Sequence, residues 1–137
     1  MFVYYNPNPQ KKLEEDCVVR AICKAFDWDW DIAYSKLCAY GYKVKSMPSL
    51  NHVWGGFLKE NGYERNIIPN TCPDCYTIEN FERGHHQGIY LVATGSHVVT
   101  IKDGNHYDTW DSGGEVALYY YQKKGEQQNE TNSDARI

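Results

Sequence analysis

The residues best suited to chemistry in this 137-residue sequence are Cys17 and His97. Asp16 has the position of a helix N-cap, and the apolar residues after Cys17 are spaced as in a buried helix. The unpaired N–H groups at a helix N-terminus lower the pKa of a thiol, so Cys17 is placed to act as a nucleophile. His97 opens an apolar β-rich run and can serve as the general base. The pair predicts thiol-dependent acyl chemistry.

A histidine base needs an acid to orient it, and the hairpin after His97 offers two candidates. A two-residue turn at Asp103 and Gly104 would bring Asp108 diagonally near the imidazole, whereas a three-residue loop over 103–105 would pair His97 with Asp111. The three-residue loop avoids pairing polar with apolar residues across the two strands. We therefore predict Asp111 as the orienting acid, with Asp108 as the alternate.

The same chemistry needs donors for the oxyanion that develops on the attacked carbonyl. One donor is the backbone N–H of Cys17, and a second is a side-chain amide a few residues upstream. Gln10 is the predicted amide, and Asn8 and Asn6 are its competitors.

The order of elements predicts an α+β fold, with N-terminal helices packed on one side of a C-terminal antiparallel sheet. Residues 1–15 read as an irregular lead-in. Helices are expected after Asp16, over 30–40, after Ser49 and after Thr77, and extended chain over 63–68. Strands are expected over 89–93, 97–101, 106–110 and 116–121. We predict one domain over 1–123 and a disordered polar tail over 124–137.

Charge and composition argue against several classes of partner. The formal net charge is -4 and the basic residues are scattered, so we expect no binding to nucleic acid or to an anionic membrane surface. No apolar run approaches the roughly 20 residues of a membrane span. The first residues lack the apolar core of a signal peptide, so a cytoplasmic protein is expected.

The chain has five cysteines, an odd set that predicts free thiols and no disulfide framework. Cys72 and Cys75 have the spacing of half a zinc site, which His85 and His86 could complete. A packed loop without metal is the favoured interpretation of this motif, and no cofactor is expected.

The segment 16–22 around Cys17, followed later by a strand histidine and a carboxylate one hairpin on, resembles papain-like peptidases, especially the minimal C39-like peptidases. Residues 16–22 and 93–112 also look like small uncharacterised proteins encoded by phages and prophages of gut bacteria. The resemblance implies a papain-like fold and a cysteine peptidase or amidase that acts on a peptide or protein substrate. For a phage protein it implies the cytoplasm of the host cell.

Three alternatives stay open at this point. The same site could serve a transamidase or acyltransferase, because these enzymes use the same groups. The chain could instead be a catalytically silent interaction protein of phage origin that keeps Cys17 and His97 as relics. A zinc-stabilised binding module around Cys72 and Cys75 is the third.

Overall fold

A computed structural model describes residues 1–125 as an α+β fold with four helices and a six-stranded mixed sheet. The helices are α1 (Cys17–Phe26), α2 (Trp30–Val44), α3 (Asn51–Glu60) and α4 (Ile78–Arg83). The strands are β1 (Phe2–Tyr4), β2 (Tyr63–Ile67), β3 (Ile89–Ala93), β4 (Val98–Lys102), β5 (Asn105–Asp108) and β6 (Tyr119–Lys123). From residue 126 onward, the predicted tail lies outside the described residues.

The strands are ordered β1-β5-β4-β3-β6-β2 across the sheet. Neighbouring strands are antiparallel except β1 and β5, which run parallel. The prediction of a C-terminal antiparallel sheet is therefore wrong in two respects. The irregular lead-in contains β1 at one edge of the sheet, and β2 from the first half of the chain forms the other edge.

Helices cover both faces of the sheet, which corrects the expectation that they pack on one side. In β3, Leu91 and Ala93 pack in a core with α1, α2 and α3, whereas Tyr90 and Val92 pack in a second core with α4. Successive side chains of a strand point to opposite faces, so a continuous apolar run such as 89–93 requires cover on each side. In the described part of the chain, no helix has the length and apolarity needed to cross a membrane.

The predicted helices are confirmed, and α2 runs further than expected. The predicted helix over 30–40 ends before Gly41, but α2 continues to Val44. Its C-cap is Lys45, which has a left-handed backbone conformation with a φ of 61°. The chain then folds back on α2, and a Cβ on Gly41 would lie 2.9 Å from the carbonyl oxygen of Ser46. This glycine therefore permits a close return of the chain and does not end the helix.

A buried hydrogen bond fixes α1 against the strand that follows His97. Thr100 in β4 is fully buried, and its hydroxyl donates to the carbonyl oxygen of Ala21 in α1 at 2.6 Å. Since Cys17 begins α1 and His97 directly precedes β4, this bond sets the relative position of the elements that carry them.

We expect Thr100→Val to lower the free energy of unfolding by about 1 kcal/mol, because it removes one buried hydrogen bond at nearly constant shape. Urea denaturation measures the change. The matched control is Thr71→Val, which removes an exposed hydroxyl bond to the carbonyl oxygen of Asp74 and should cost less, since water replaces that partner. Equal losses in the two variants would contradict the role of Thr100.

Candidate active site

Cys17 is the first residue of α1, and the N-terminus of this helix has no side-chain cap. Asp16 occupies the N-cap position as predicted, but its carboxylate accepts from Arg20 at 2.8 Å and from the indole of Trp30 at 2.9 Å. The first-turn N–H groups are therefore left without a side-chain acceptor and add positive potential beside the sulfur.

His97 lies between Cys17 and Asp108 and hydrogen-bonds to both. Its Nε2 is 2.6 Å from Oδ2 of Asp108, and its ring also bonds the Cys17 sulfur. Because Nε2 serves the carboxylate, Nδ1 is the ring nitrogen left for the sulfur. The ring of Trp110, 46% exposed, packs against His97 with 5.0 Å between ring centroids. Sulfur, imidazole and carboxylate thus form one connected series.

Asp108 is only 1% exposed, and polar partners surround its carboxylate. The hydroxyl of Ser112 donates to Oδ2 at 2.8 Å, and the Arg20 guanidinium lies 3.1 Å from Oδ1. The backbone N–H of Thr109 donates to Oδ1 at 2.8 Å. A buried carboxylate with this many partners is held both in its ionised form and in one orientation.

The series shifts the pKa of each member. Burial raises the pKa of the Cys17 thiol, but hydrogen bonds from His97 and from the N–H of Val98 outweigh burial and leave it below its usual value. Burial lowers the pKa of His97, but its bonds to Asp108 and Cys17 raise it to about 9. Burial raises the pKa of Asp108, and the bond from His97 brings it below its ordinary value. These directions favour the pair of a Cys17 thiolate and a His97 imidazolium over the pair of a neutral thiol and a neutral imidazole.

The prediction that Asp111 orients His97 is wrong in its geometry. Asp111 Oδ1 instead lies 2.8 Å from Nε2 of His106, whose Nδ1 is 2.7 Å from Glu82. The alternate, Asp108, occupies the place beside His97.

The turn between β4 and β5 explains this error. Asp103 and Gly104 have φ values of 51° and 82°, as a two-residue type I′ turn requires, and Lys102 pairs with Asn105. This register sets the apolar Ile101 against the polar His106. The pairing is tolerated because both ring nitrogens of the buried His106 have carboxylate partners.

A cleft of about 210 Å³ opens beside Cys17 and His97, and we call it the Cys17 cleft. It lies between the start of α1, the start of α3, the loop from β3 to His97, and Tyr119 of β6. The side chains of Cys17 and His97 both line it. A substrate carbonyl can therefore reach the sulfur from this side.

The predicted oxyanion amides do not line this cleft among the described residues. Gln10 is exposed, and its backbone N–H donates to the Oδ1 of Asn8. Asn8 in turn donates its N–H to the Oδ1 of Asn6, whose Nδ2 donates to the carbonyl of Lys12. The asparagines thus serve to fold their own loop, as asparagine commonly does in turns. The backbone N–H groups at the start of α1 stay as donors for an oxyanion.

Sequence analysis missed Arg20 and Ser112. Arg20 is 4% exposed and joins Asp16 to Asp108, while Ser112 is fully buried against Asp108. A signal for Arg20 was present, because an arginine within the apolar run of a buried helix needs acidic partners, and Asp16 lies one turn before it. Ser112 had no comparable signal.

Cys72 and Cys75 form a disulfide, which corrects the expectation of free thiols at these positions. The zinc alternative does not fit this state, because the metal binds thiolates. Within residues 1–125, no group of three or more His, Cys, Asp or Glu side chains is placed to hold a metal ion. Cys17, Cys23 and Cys38 are free.

Comparisons with protein-family models, curated proteins and solved structures give no match to this chain.

We expect Asp108→Asn to lower the pKa of His97 from its raised value of about 9, because the carboxylate stabilises the imidazolium. NMR titration of the His97 ring nitrogens measures it. Asp111→Asn is the matched control and should leave the titration of His97 unchanged, since Asp111 bonds His106. The opposite pattern would restore Asp111 as the orienting acid.

We expect Arg20→Met to lower the free energy of unfolding by about 3–5 kcal/mol, because it leaves the buried Asp108 carboxylate and Asp16 without their cation. Urea denaturation measures the loss. Arg83→Met removes an exposed ion pair with Glu79 and should cost at most about 1 kcal/mol. A similar small loss in both variants would show that the buried pairs are unimportant.

Proposed function

We propose that this protein is a thiol-dependent hydrolase, a cysteine peptidase or amidase, in which Cys17 is the nucleophile, His97 the general base and acid, and Asp108 the orienting acid. The observation that carries the proposal is the continuous hydrogen-bonded series from the Cys17 sulfur through His97 to the buried Asp108. It opens on a cleft large enough to admit part of a peptide.

In the first step, the Cys17 thiolate attacks the carbonyl carbon of an amide, and the carbonyl electrons move to oxygen. The backbone N–H groups at the start of α1 donate to that oxyanion. The tetrahedral intermediate then collapses, the C–N bond breaks, and His97 gives its proton to the leaving amine. A thioester on Cys17 and a neutral imidazole result.

In the second step, water attacks the thioester while His97 accepts one of its protons. The second tetrahedral intermediate expels the Cys17 thiolate and releases a carboxylic acid. The imidazolium and thiolate are thereby regenerated. Asp108 holds the ring in one orientation and stabilises its charge in both steps.

The arrangement also supports a papain-like fold as the finer description. The nucleophile begins a helix that packs against the sheet, and the base directly precedes a strand of that sheet. The chain order Cys, His, Asp agrees with the resemblance of residues 16–22 and 93–112 to C39-like peptidases and phage proteins. This supports a peptide or protein as the substrate.

We expect iodoacetamide to alkylate Cys17 well below pH 8.5, because its pKa is lowered and the thiolate is the reactive form. His97→Ala should raise that pKa, and labelling at pH 6.5 should slow about tenfold for each unit of the rise. Peptide mass spectrometry follows the rate, with Cys38, also half-buried and free, as the reference thiol in the same digest.

Hydrolysis of a fluorogenic peptide library completes this test. Cys17→Ala should abolish cleavage, whereas Cys38→Ala should retain it. If Cys17 labels no faster than Cys38 at pH 6.5 and no peptide is cleaved, the hydrolase proposal fails. The catalytically silent interaction protein then becomes the better account of the fold.

A further inference from the structure

We infer that the Cys17 cleft binds an uncharged substrate side chain that carries an amide or hydroxyl group, and that Asn51 donates a hydrogen bond to it. The inference rests on the proposed function, since it concerns the substrate of that same site. It goes further by naming a residue that selects the substrate.

The walls of the cleft combine polar groups with the apolar residues Val18, Trp54 and Val98. Apart from Cys17 and His97, no Asp, Glu, Lys, Arg or His side chain lines it among the described residues. The polar groups that do so are four hydroxyls and one amide, from Ser49, Thr94, Ser96, Tyr119 and Asn51. The Thr94 hydroxyl already bonds the carbonyl oxygen of His97, but a purely apolar side chain would cover the other groups and take water from them, at a cost in free energy.

Asn51 is an exposed residue of the cleft whose amide is oriented by one hydrogen bond. The indole N–H of Trp54 donates to its Oδ1 at 3.2 Å, so the amide nitrogen Nδ2 is the part left to meet a ligand. Trp54 is itself 3% exposed and stacks on Tyr119 with 6.3 Å between ring centroids. An amide held in this way is a preorganised donor, which favours a substrate oxygen that can accept.

The helix that carries Asn51 lies close against the sheet. A Cβ on Gly55 would overlap the hydroxyl of Tyr121, and Trp54 meets the ring of Tyr121 edge-on with 5.6 Å between ring centroids. The start of α3 is therefore held at a set distance from β6. The close packing of α3 on β6 keeps the cleft between them narrow.

Charge separates an amide or hydroxyl from a carboxylate as the accepting group. The Cys17 thiolate and the His97 imidazolium both line the cleft, and each already has the other as its counter-charge. Arg20 is paired with Asp16 and Asp108, so a substrate carboxylate would find no unpaired cation in the described lining of the cleft. A substrate ammonium would find no carboxylate in that lining.

The size of the cleft limits what enters it. At about 210 Å³ it is smaller than the roughly 300–1,000 Å³ of pockets that enclose whole drug-sized ligands. One side chain of a peptide and the carbonyl group to be attacked can occupy it while the rest of the peptide lies outside. A glutamine-sized side chain fits this description.

The test uses peptidyl acyloxymethyl ketones, in which the Cys17 thiolate forms a C–S bond to the methylene carbon and a carboxylate leaves. Two series place Gln, Leu, Glu or Lys either next to the ketone or one residue further from it, with Ala at the other position. Intact-protein mass spectrometry gives the second-order rate of labelling. In one series, the Gln probe should react about tenfold or more faster than the Leu, Glu and Lys probes.

Three variants assign the preference to Asn51. Asn51→Leu should bring the Gln and Leu probes within about twofold of each other. Asn51→Asp keeps the acceptor for Trp54 but replaces the donor with a charge, so it should slow Gln and make Lys the best probe. Trp54→Phe retains the ring but frees the Asn51 amide, and should lose part of the preference for Gln.

The control is Asn70→Asp, the same change on an exposed loop residue whose Oδ1 accepts from the N–H of Cys72. It should leave every rate as in the parent. If iodoacetamide shows an activated Cys17 but all probes react within twofold, the inference is overturned and the proposed function stands. If no probe labels Cys17 and iodoacetamide shows no activation, both are overturned together.

Discussion

The buried carboxylate of Asp108 is the point at which the separate parts of this fold meet. It receives Arg20 from α1, His97 from the start of β4 and Ser112 from the loop after β5. The backbone carbonyl of the same residue accepts from the N–H of Tyr5, just after β1. A side chain with 1% exposure cannot keep a charge unless such partners replace water. Its ionisation therefore requires that these segments be correctly placed.

The need of Asp108 for charged and polar partners also affects the position and the pKa of Cys17. Arg20 lies one turn after Cys17 on α1, so the ion pair with Asp108 holds the helix start near the end of β5. β5 pairs with β4, the strand that follows His97, and the hydrogen bond from Thr100 in β4 to Ala21, the next residue of α1, holds the helix and this strand together. Geometry and charge act in the same direction, because the contacts that position Cys17 and His97 also favour the thiolate and the imidazolium.

Asp16 shows how contacts in the folded protein can override the capping preference of a residue. An aspartate at an N-cap ordinarily accepts from the first turn of its own helix. Here its carboxylate accepts from Arg20 and Trp30 instead, and the first turn of α1, which begins with Cys17, has no side-chain cap. Thr77 at the start of α4 behaves in the ordinary way and forms a capping box with Asn80. The two helix starts differ because Arg20 and Trp30 occupy the oxygens of the Asp16 carboxylate.

The sequence by itself determined the four helices, most of the strands and two residues of the candidate site, but not β1. Apolar spacing placed the four helices and the central strands, and it put Cys17 at a helix start and His97 at a strand start, because these are local signals. The choice between Asp108 and Asp111 depended on the register of the hairpin between β4 and β5. The observed register places His106 opposite the apolar Ile101, and the ion pair of His106 with Glu82 on α4 stabilises this arrangement. Contacts between residues distant in sequence likewise decided the pairing of Arg20 with Asp108, the cover on both faces of the sheet and the cleft between α3 and β6. Such contacts exist only once the chain has folded, so only the tertiary structure could decide them.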